Sequence, residues 1–252
     1  MVEYVWTSPW GESWNLSTGD RGVFMEQGGA EGLPRSQVTR QGAEVAGRSG
    51  HLPRDLVIPA ADGSFVVNCF AHGAVSQGDV ESRFKAAFSH HKRGRLIVRG
   101  WPGGDLALVA ELVEFSAPTR QPEHGSFTRL VVHVHAPDGV YLQGRAETGV
   151  VDVGNPGDRV IFPRVRWVGD GGVVVLPSGA EMELPAVDEP RVVFLDALES
   201  CVVVDDDGVV DDALWGAFQV FPEGVPVGER RRYILPPSAA LAWDVGYTNP
   251  WK

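Results

Sequence analysis

The sequence predicts a mainly β protein of two β-sandwich-type domains, the first with one α-helix and an extended arm. Three observations predict it. Valine-rich runs alternate with polar residues or stay apolar for a strand's length. Glycine (31) and proline (18) are abundant and gather in turn-forming groups between those runs. Only one segment carries a helical period. The 252 residues suffice for one large or two modest domains, and 43% hydrophobic residues suffice for a core.

In order, VEYVW (2–6) reads as an opening strand, SPWGESWNLSTGD as a turn-rich hairpin region and GVFMEQGG as a short strand. Residues 28–53 are Gly-rich and polar with almost no core residues, a composition that suits an extended arm. RDLVIPA and SFVVNCFA follow as strands. GDVESRFKAAFSHHKRG is the helix. Asp79 is its expected N-cap, and Val80, Phe84, Ala87, Phe88 and His91 share one face. Lys92 and Arg93 complement its C-terminal end, and Gly94 supplies a left-handed cap. RLIVRG, DLALVAELVEFS and FTRLVVHVHA are three more strands, with WPGG (101–104) turning between the first two and a polar loop over 115–126. The first domain is placed at 1–143, with its arm at about 28–53.

The second domain, 144–252, restarts at ETGVVDVG. Short strands alternate there with NPGD, GDGG and PSG turns, the pattern of a β-sandwich or jelly roll. RVVFLDA, CVVVDD, ALWGAFQVF and RRRYILP extend it. Whether the closing residues return to the first domain is left open.

Charge and motifs narrow the function. A net charge of −11 argues against binding nucleic acid or membrane through the whole surface. No N-terminal signal pattern occurs, and no apolar run approaches ~20 residues. Cys69 and Cys201 lie far apart in apolar runs and read as buried free thiols, without the CxxC pattern of a metal site. G-x-S-x-G, HExxH and Walker A motifs are absent, so no catalytic residue and no cofactor is assigned. His133 and His135 share one strand face, with His124 upstream. Two imidazoles hold a metal only with a third ligand, and no Glu follows at a fitting place. The expected arrangement is Leu130, Val132 and Val134 inward, with Arg129, Val131, His133 and His135 outward, and no metal. Glu111 and Glu114, at odd spacing, are expected on opposite faces. Asp205, Asp206 and Asp207 read as a solvated turn. Trp167 and Trp215 are the candidates for stacking on a sugar, although core tryptophans are commoner.

The order of these segments adds a resemblance. GVFMEQGGAEGLP precedes a polar arm. Pro53, Arg54, Asp55, Leu56 and Val57 stand where an R-E-V strand is expected, with Asp in place of Glu. The helix precedes Gly94, Leu96, Val98, Trp101 and Gly104 in a G-x-L-x-V pattern, and YILPPSAALAWDVGYTNPWK closes the chain. The order resembles the distal tail proteins of long-tailed siphophages, a family also called minor tail proteins. GNPGDRVIFPRVRWVGDGG is similar to that family's second, galectin-like module. The resemblance implies a structural protein of the virion, not an enzyme. It implies a homo-hexameric ring at the tail tip, between the tail tube and the baseplate hub, supporting host attachment. Tail tube, hub and tape measure proteins are the implied partners, DNA is only passing cargo, and no membrane insertion is implied. Glu31, Leu33, Arg35, Val38, Arg40 and Arg48 become candidates for subunit contact in the arm. The alternative is a carbohydrate-binding β-sandwich module that recognises host cell-wall glycans. A histidine metalloenzyme is the third reading.

Overall fold

In the computed structural model, residues 2–44, 51–116, 119–120, 127–196, 198, 200–218 and 220–251 are described. The chain divides into two units, one formed by Met1–Leu142 with Thr248–Lys252, the other by Gln143–Tyr247.

The first unit holds β1 (Glu3–Thr7), β2 (Ser13–Asn15), β3 (Val23–Met25), β4 (Thr39–Glu44), β5 (His51–Val57) and β6 (Ala61–Phe70). After them come α1 (Gln77–Ala86), β7 (Gly94–Arg99), β8 (Leu106–Phe115), β9 (Thr119–Arg120) and β10 (Phe127–Ala136). All pairings are antiparallel. β1 bonds both β2 and β7, and β7 bonds the first half of β8. The second half of β8 bonds β10, which also bonds β6, and β6 bonds β3. One long strand therefore serves two sheets. The turn between β7 and β8 is the WPGG segment, closed by Gly104 N–H on the Trp101 carbonyl at 3.1 Å.

Between those sheets lies an aromatic core. Trp6 stacks on Phe88 at 4.3 Å, and Phe84 meets Phe88 edge-on at 5.1 Å and Trp14 at 5.4 Å. The Trp6 indole N–H donates to the Ala87 carbonyl at 2.9 Å. Burying an aromatic ring of this kind contributes roughly 1.5–3 kcal/mol, so these side chains fix where α1 sits.

The helix is shorter than its sequence pattern suggests. Its N-cap is Ser76, not Asp79: the Ser76 hydroxyl donates to the Asp79 carboxylate at 2.7 Å and accepts the Asp79 N–H at 3.2 Å. Val80, Phe84, Ala87 and Phe88 are buried as expected, but His91 is exposed. The helix ends at Ala86 because Phe88 turns into the core, and the Ser89 hydroxyl then accepts the N–H groups of His91 and Lys92. Lys92 and Arg93 lie beyond the helix. Gly94 is the first residue of β7 instead of a cap, pressed so close to the Trp6 ring that a Cβ would stand 2.4 Å from it.

β11 (Tyr141–Thr148) leads into the second unit, with β12 (Val150–Gly154), β13 (Arg164–Gly169), β14 (Gly172–Val175), β15 (Glu181–Leu184), β16 (Val187–Phe194), β17 (Val203–Val204), α2 (Asp212–Trp215), β18 (Arg230–Ile234) and β19 (Ala239–Tyr247). One sheet includes β17-β16-β13-β19, the other runs β12-β18-β14-β15. Val153, Val174 and Tyr233 of one sheet share a buried core with Val165, Trp167 and Leu241 of the other, which makes a β-sandwich. Here the segment ALWGAFQVF is not a strand. Asp211 caps α2 by accepting the Leu214 N–H at 3.1 Å, and the chain then turns. Cys69 and Cys201 are both buried free thiols.

Candidate assembly surface

The expected arm begins later than its composition suggests. After β3 the chain runs in turns along the edge of β6. Glu26 N–H bonds the Val66 carbonyl, Val66 N–H bonds Gly29, and Ser64 N–H bonds Gly32 at 2.7 Å. Leu33 is only 3% exposed. The Tyr141 hydroxyl donates to the Pro34 carbonyl at 3.1 Å and the Ser36 hydroxyl to the Pro59 carbonyl at 2.9 Å. Two glycines permit this close approach. A Cβ on Gly63 would lie 2.4 Å from Pro34 N, and one on Gly139, at φ +61°, would lie 2.1 Å from the Pro59 carbonyl. Residues 28–36 are thus docked, because backbone bonding and close glycine packing replace the missing apolar side chains.

What stands apart is the β4–β5 hairpin. Thr39 pairs Val57, Arg40 pairs Leu56 and Glu44 pairs His51, with a bulge between Arg40 and Gly42. Among the described residues it bonds no third strand. Val38, Leu56 and Val57 at its base are 37%, 50% and 38% exposed. A two-stranded ribbon is marginal in water by itself, so this element would gain from a covering partner. RDLV, expected as part of an independent strand, is the returning half of the hairpin.

The docked segment before the hairpin borders a groove of about 510 Å³, lined by Tyr4, Phe24, Met25, Glu31, Arg35 and Trp251. Arg35 lies 5.4 Å from the centre of the Trp251 ring and donates to the Glu31 carbonyl at 3.3 Å. Trp251 in turn meets Tyr141 edge-on at 5.1 Å. Burial pushes the Tyr4 and Tyr141 hydroxyls up from their ordinary pKa. Of the arm candidates, Leu33 is core, Glu31 and Arg35 line this groove, Val38 is exposed, and Arg40 lies in β4 opposite Leu56. Arg48 lies outside the described residues. Sequence reasoning missed Trp251, which is 216 positions from Arg35 and carries no local signal.

The histidines lie as the strand alternation predicts. Leu130, Val132 and Val134 are buried, and Arg129, Val131, His133 and His135 face the other way. His133 Nε2 lies 2.9 Å from the Ser116 hydroxyl and His135 Nδ1 2.7 Å from the Asp62 carboxylate. Glu111 and Glu114 depart from expectation. A bulge inserts Val113, so Glu114 sits opposite His133 while Glu111 sits opposite His135, both on the histidine face. Among the described residues no three His, Cys, Asp or Glu side chains come together to hold a metal; His124 is outside them.

In the second unit Trp167 is 1% exposed, with its indole N–H on the Pro185 carbonyl at 3.0 Å. It is a core residue and offers no face to a sugar. Trp215 is 40% exposed, held by its N–H on the Ser200 carbonyl at 3.0 Å. Asp205 accepts the N–H groups of Asp207 and Val209, and Asp206 pairs with Arg166 at 3.0 Å, which makes the acidic run a solvated turn.

This arrangement has counterparts among solved structures. The SPP1 Dit protein (gp 19.1), described as a paradigm of the hub adsorption apparatus in phages infecting Gram-positive bacteria, matches with a TM-score of 0.58 at 11% identity. The match covers 97% of this chain and 99% of that one. The fold is of the Dit type. A chain of the phage P2 baseplate in its activated conformation with Ca matches the same fold at TM-score 0.56 and 10% identity, over 97% of this chain and 98% of that one. At such identities the Dit-type likeness is one of fold. No family model and no curated protein sequence matches the chain. No described helix is long and apolar enough to cross a membrane.

Proposed function

We propose that this chain is a structural phage tail-tip protein that assembles as a hexameric ring joining the tail tube to the tail-tip hub. The observation that carries the reading is the extent of the fold match: 97% of this chain against 99% of the SPP1 Dit protein, so both units and their order correspond. A fold hosts many functions, but a whole-chain match to proteins of a hub and a baseplate favours their role over any catalytic one. The β4–β5 hairpin supports it, because a ribbon that pairs with no third strand among the described residues is suited to pairing with or covering a neighbour. In this role the chain contacts tube, hub and tape measure proteins, supports host attachment and lets DNA pass through the ring.

An antibody against the purified chain, applied to phage particles from the same source, tests the reading. Gold label on one end of the tail, at the tip, is the expected image. Label on the head, or along the whole tail, contradicts it. Glycan binding by the second unit is a second reading, favoured by one observation: Trp215 is rigidly held yet exposed.

A further inference from the structure

The first unit is closed by residues that follow the second. The chain leaves the first unit at Leu142 and re-enters it at Thr248. Thr248 and Pro250 are buried. The Asn249 side-chain carbonyl accepts the Trp251 N–H at 3.2 Å and so fixes the turn that presents the indole. Trp251 then meets side chains of the first unit: Tyr141 edge-on at 5.1 Å, Trp101 edge-on at 6.5 Å and the Arg35 guanidinium at 5.4 Å. Two of these reach the docked segment. Arg35 belongs to it, and Tyr141 holds its Pro34 carbonyl through the hydroxyl at 3.1 Å. Otherwise the segment is kept in place by buried Leu33 and Pro34 and by backbone bonds to β6, such as the Ser64 N–H on the Gly32 carbonyl.

Trp251 can sit there only while residues 143–247 hold their fold. With the second unit unfolded, seating it means closing an unstructured loop of that length. The entropy lost in doing so exceeds what an aromatic pair and an exposed cation–π contact contribute. With the second unit folded, its bracketing strands β11 and β19 are hydrogen-bonded neighbours, and the loop is closed already. We propose that Trp251 is a clasp through which folding of the second unit secures segment 28–36 of the first. Such coupling is reciprocal, so docking of the segment stabilises the second unit in turn. The segment leads into the β4–β5 hairpin. Under the tail-tip reading, a chain presents that hairpin from an ordered base only once its second unit has folded, which keeps half-folded chains out of the ring.

Hydrogen exchange of backbone amides across a urea series tests the clasp on the purified full chain. Four versions are compared: wild type, Trp251→Ala, Val174→Ala and the double variant. Trp251 is half-buried, and Val174→Ala trims one side chain in the core of the second unit, so each version folds. In wild type the amides of Leu33 and Ser64 should lose protection together with the second unit, at lower urea than the amides of β10. Val174→Ala should move both losses together to lower urea. Trp251→Ala should speed exchange at Leu33 and Ser64 at least tenfold without urea and make those rates the same with Val or Ala at position 174. Trp251→Phe should restore the coupling. Leu33 and Ser64 rates that ignore Val174→Ala in the wild-type background overturn the clasp. So does a response to Val174→Ala that survives Trp251→Ala, or a single transition shared by every amide. No step involves assembly, so these outcomes leave the tail-tip reading standing, and label away from the tail tip leaves the clasp standing.

Discussion

Single residues carry most of what can be measured directly. Gly139 combines φ +61° with a backbone contact that leaves no room for a Cβ. Gly139→Ala therefore destabilises the first unit by more than ~1 kcal/mol, read as a lowered denaturant midpoint. Leu33→Ala, at 3% exposure, costs about 2–4 kcal/mol; a cost near zero would restore 28–36 to a free arm. Burial pushes the Cys69 thiol up to about 12. Neither thiol should react with a disulfide reagent in the native protein at pH 8, and both should react in denaturant. Asp211 is held below the ordinary carboxylate range, first by the Leu214 N–H and then by Arg191. A depressed folded pKa stabilises above the unfolded value of about 3.9 and stops stabilising as pH falls through the folded one. Thermal midpoints of wild type and Asp211→Asn should thus converge below about pH 4 and diverge above it.

At the scale of elements, the hairpin and the docked segment before it should behave differently. Removing residues 40–56 takes out a ribbon bonded to no other described strand, so the thermal midpoint should move by only a few degrees while self-assembly stops. Removing 30–38 takes out Leu33 and the bonds to β6, and should melt the first unit. Circular dichroism melts of the two deletions separate these outcomes; equal melting would contradict the boundary at residue 39. Strand alternation was legible in the sequence because one face of each strand is buried, as in Leu130, Val132 and Val134 against His133 and His135. The helix was legible, but its ends were not. Asp79 and Ser76 are both good caps, and a periodic pattern cannot show that Phe88 leaves the helix to stack on Trp6. The docked turns at 28–36 were illegible because backbone carbonyls and glycine contacts leave no hydrophobic pattern. The bulge at Val113 was illegible for a related reason: one inserted residue changes the phase of a strand without changing its composition.

At the scale of the whole molecule, two β-sandwich-type units were legible from turn spacing and composition, whereas the return of RDLV as the second half of a hairpin was not. The aromatic contacts of the groove were not, since Trp251 reaches Arg35 from the far end of the chain. Of the two tryptophans open to a sugar role, burial removes Trp167 and leaves Trp215, which is exposed with its indole N–H on the Ser200 carbonyl. In the proposed ring, the net charge of −11 would suit a wall that DNA passes without adhering, and the hairpin would suit a head-to-tail contact that closes the ring. The central claim is that closed ring, and the mass of the purified chain in solution by light scattering, with negative-stain images of the same fraction, tests it most directly. The account predicts six copies of the 27.2 kDa chain in a ring with an open centre, reduced to monomer by removal of residues 40–56. A monomer that stays monomeric in the presence of tail tube and hub proteins would contradict it.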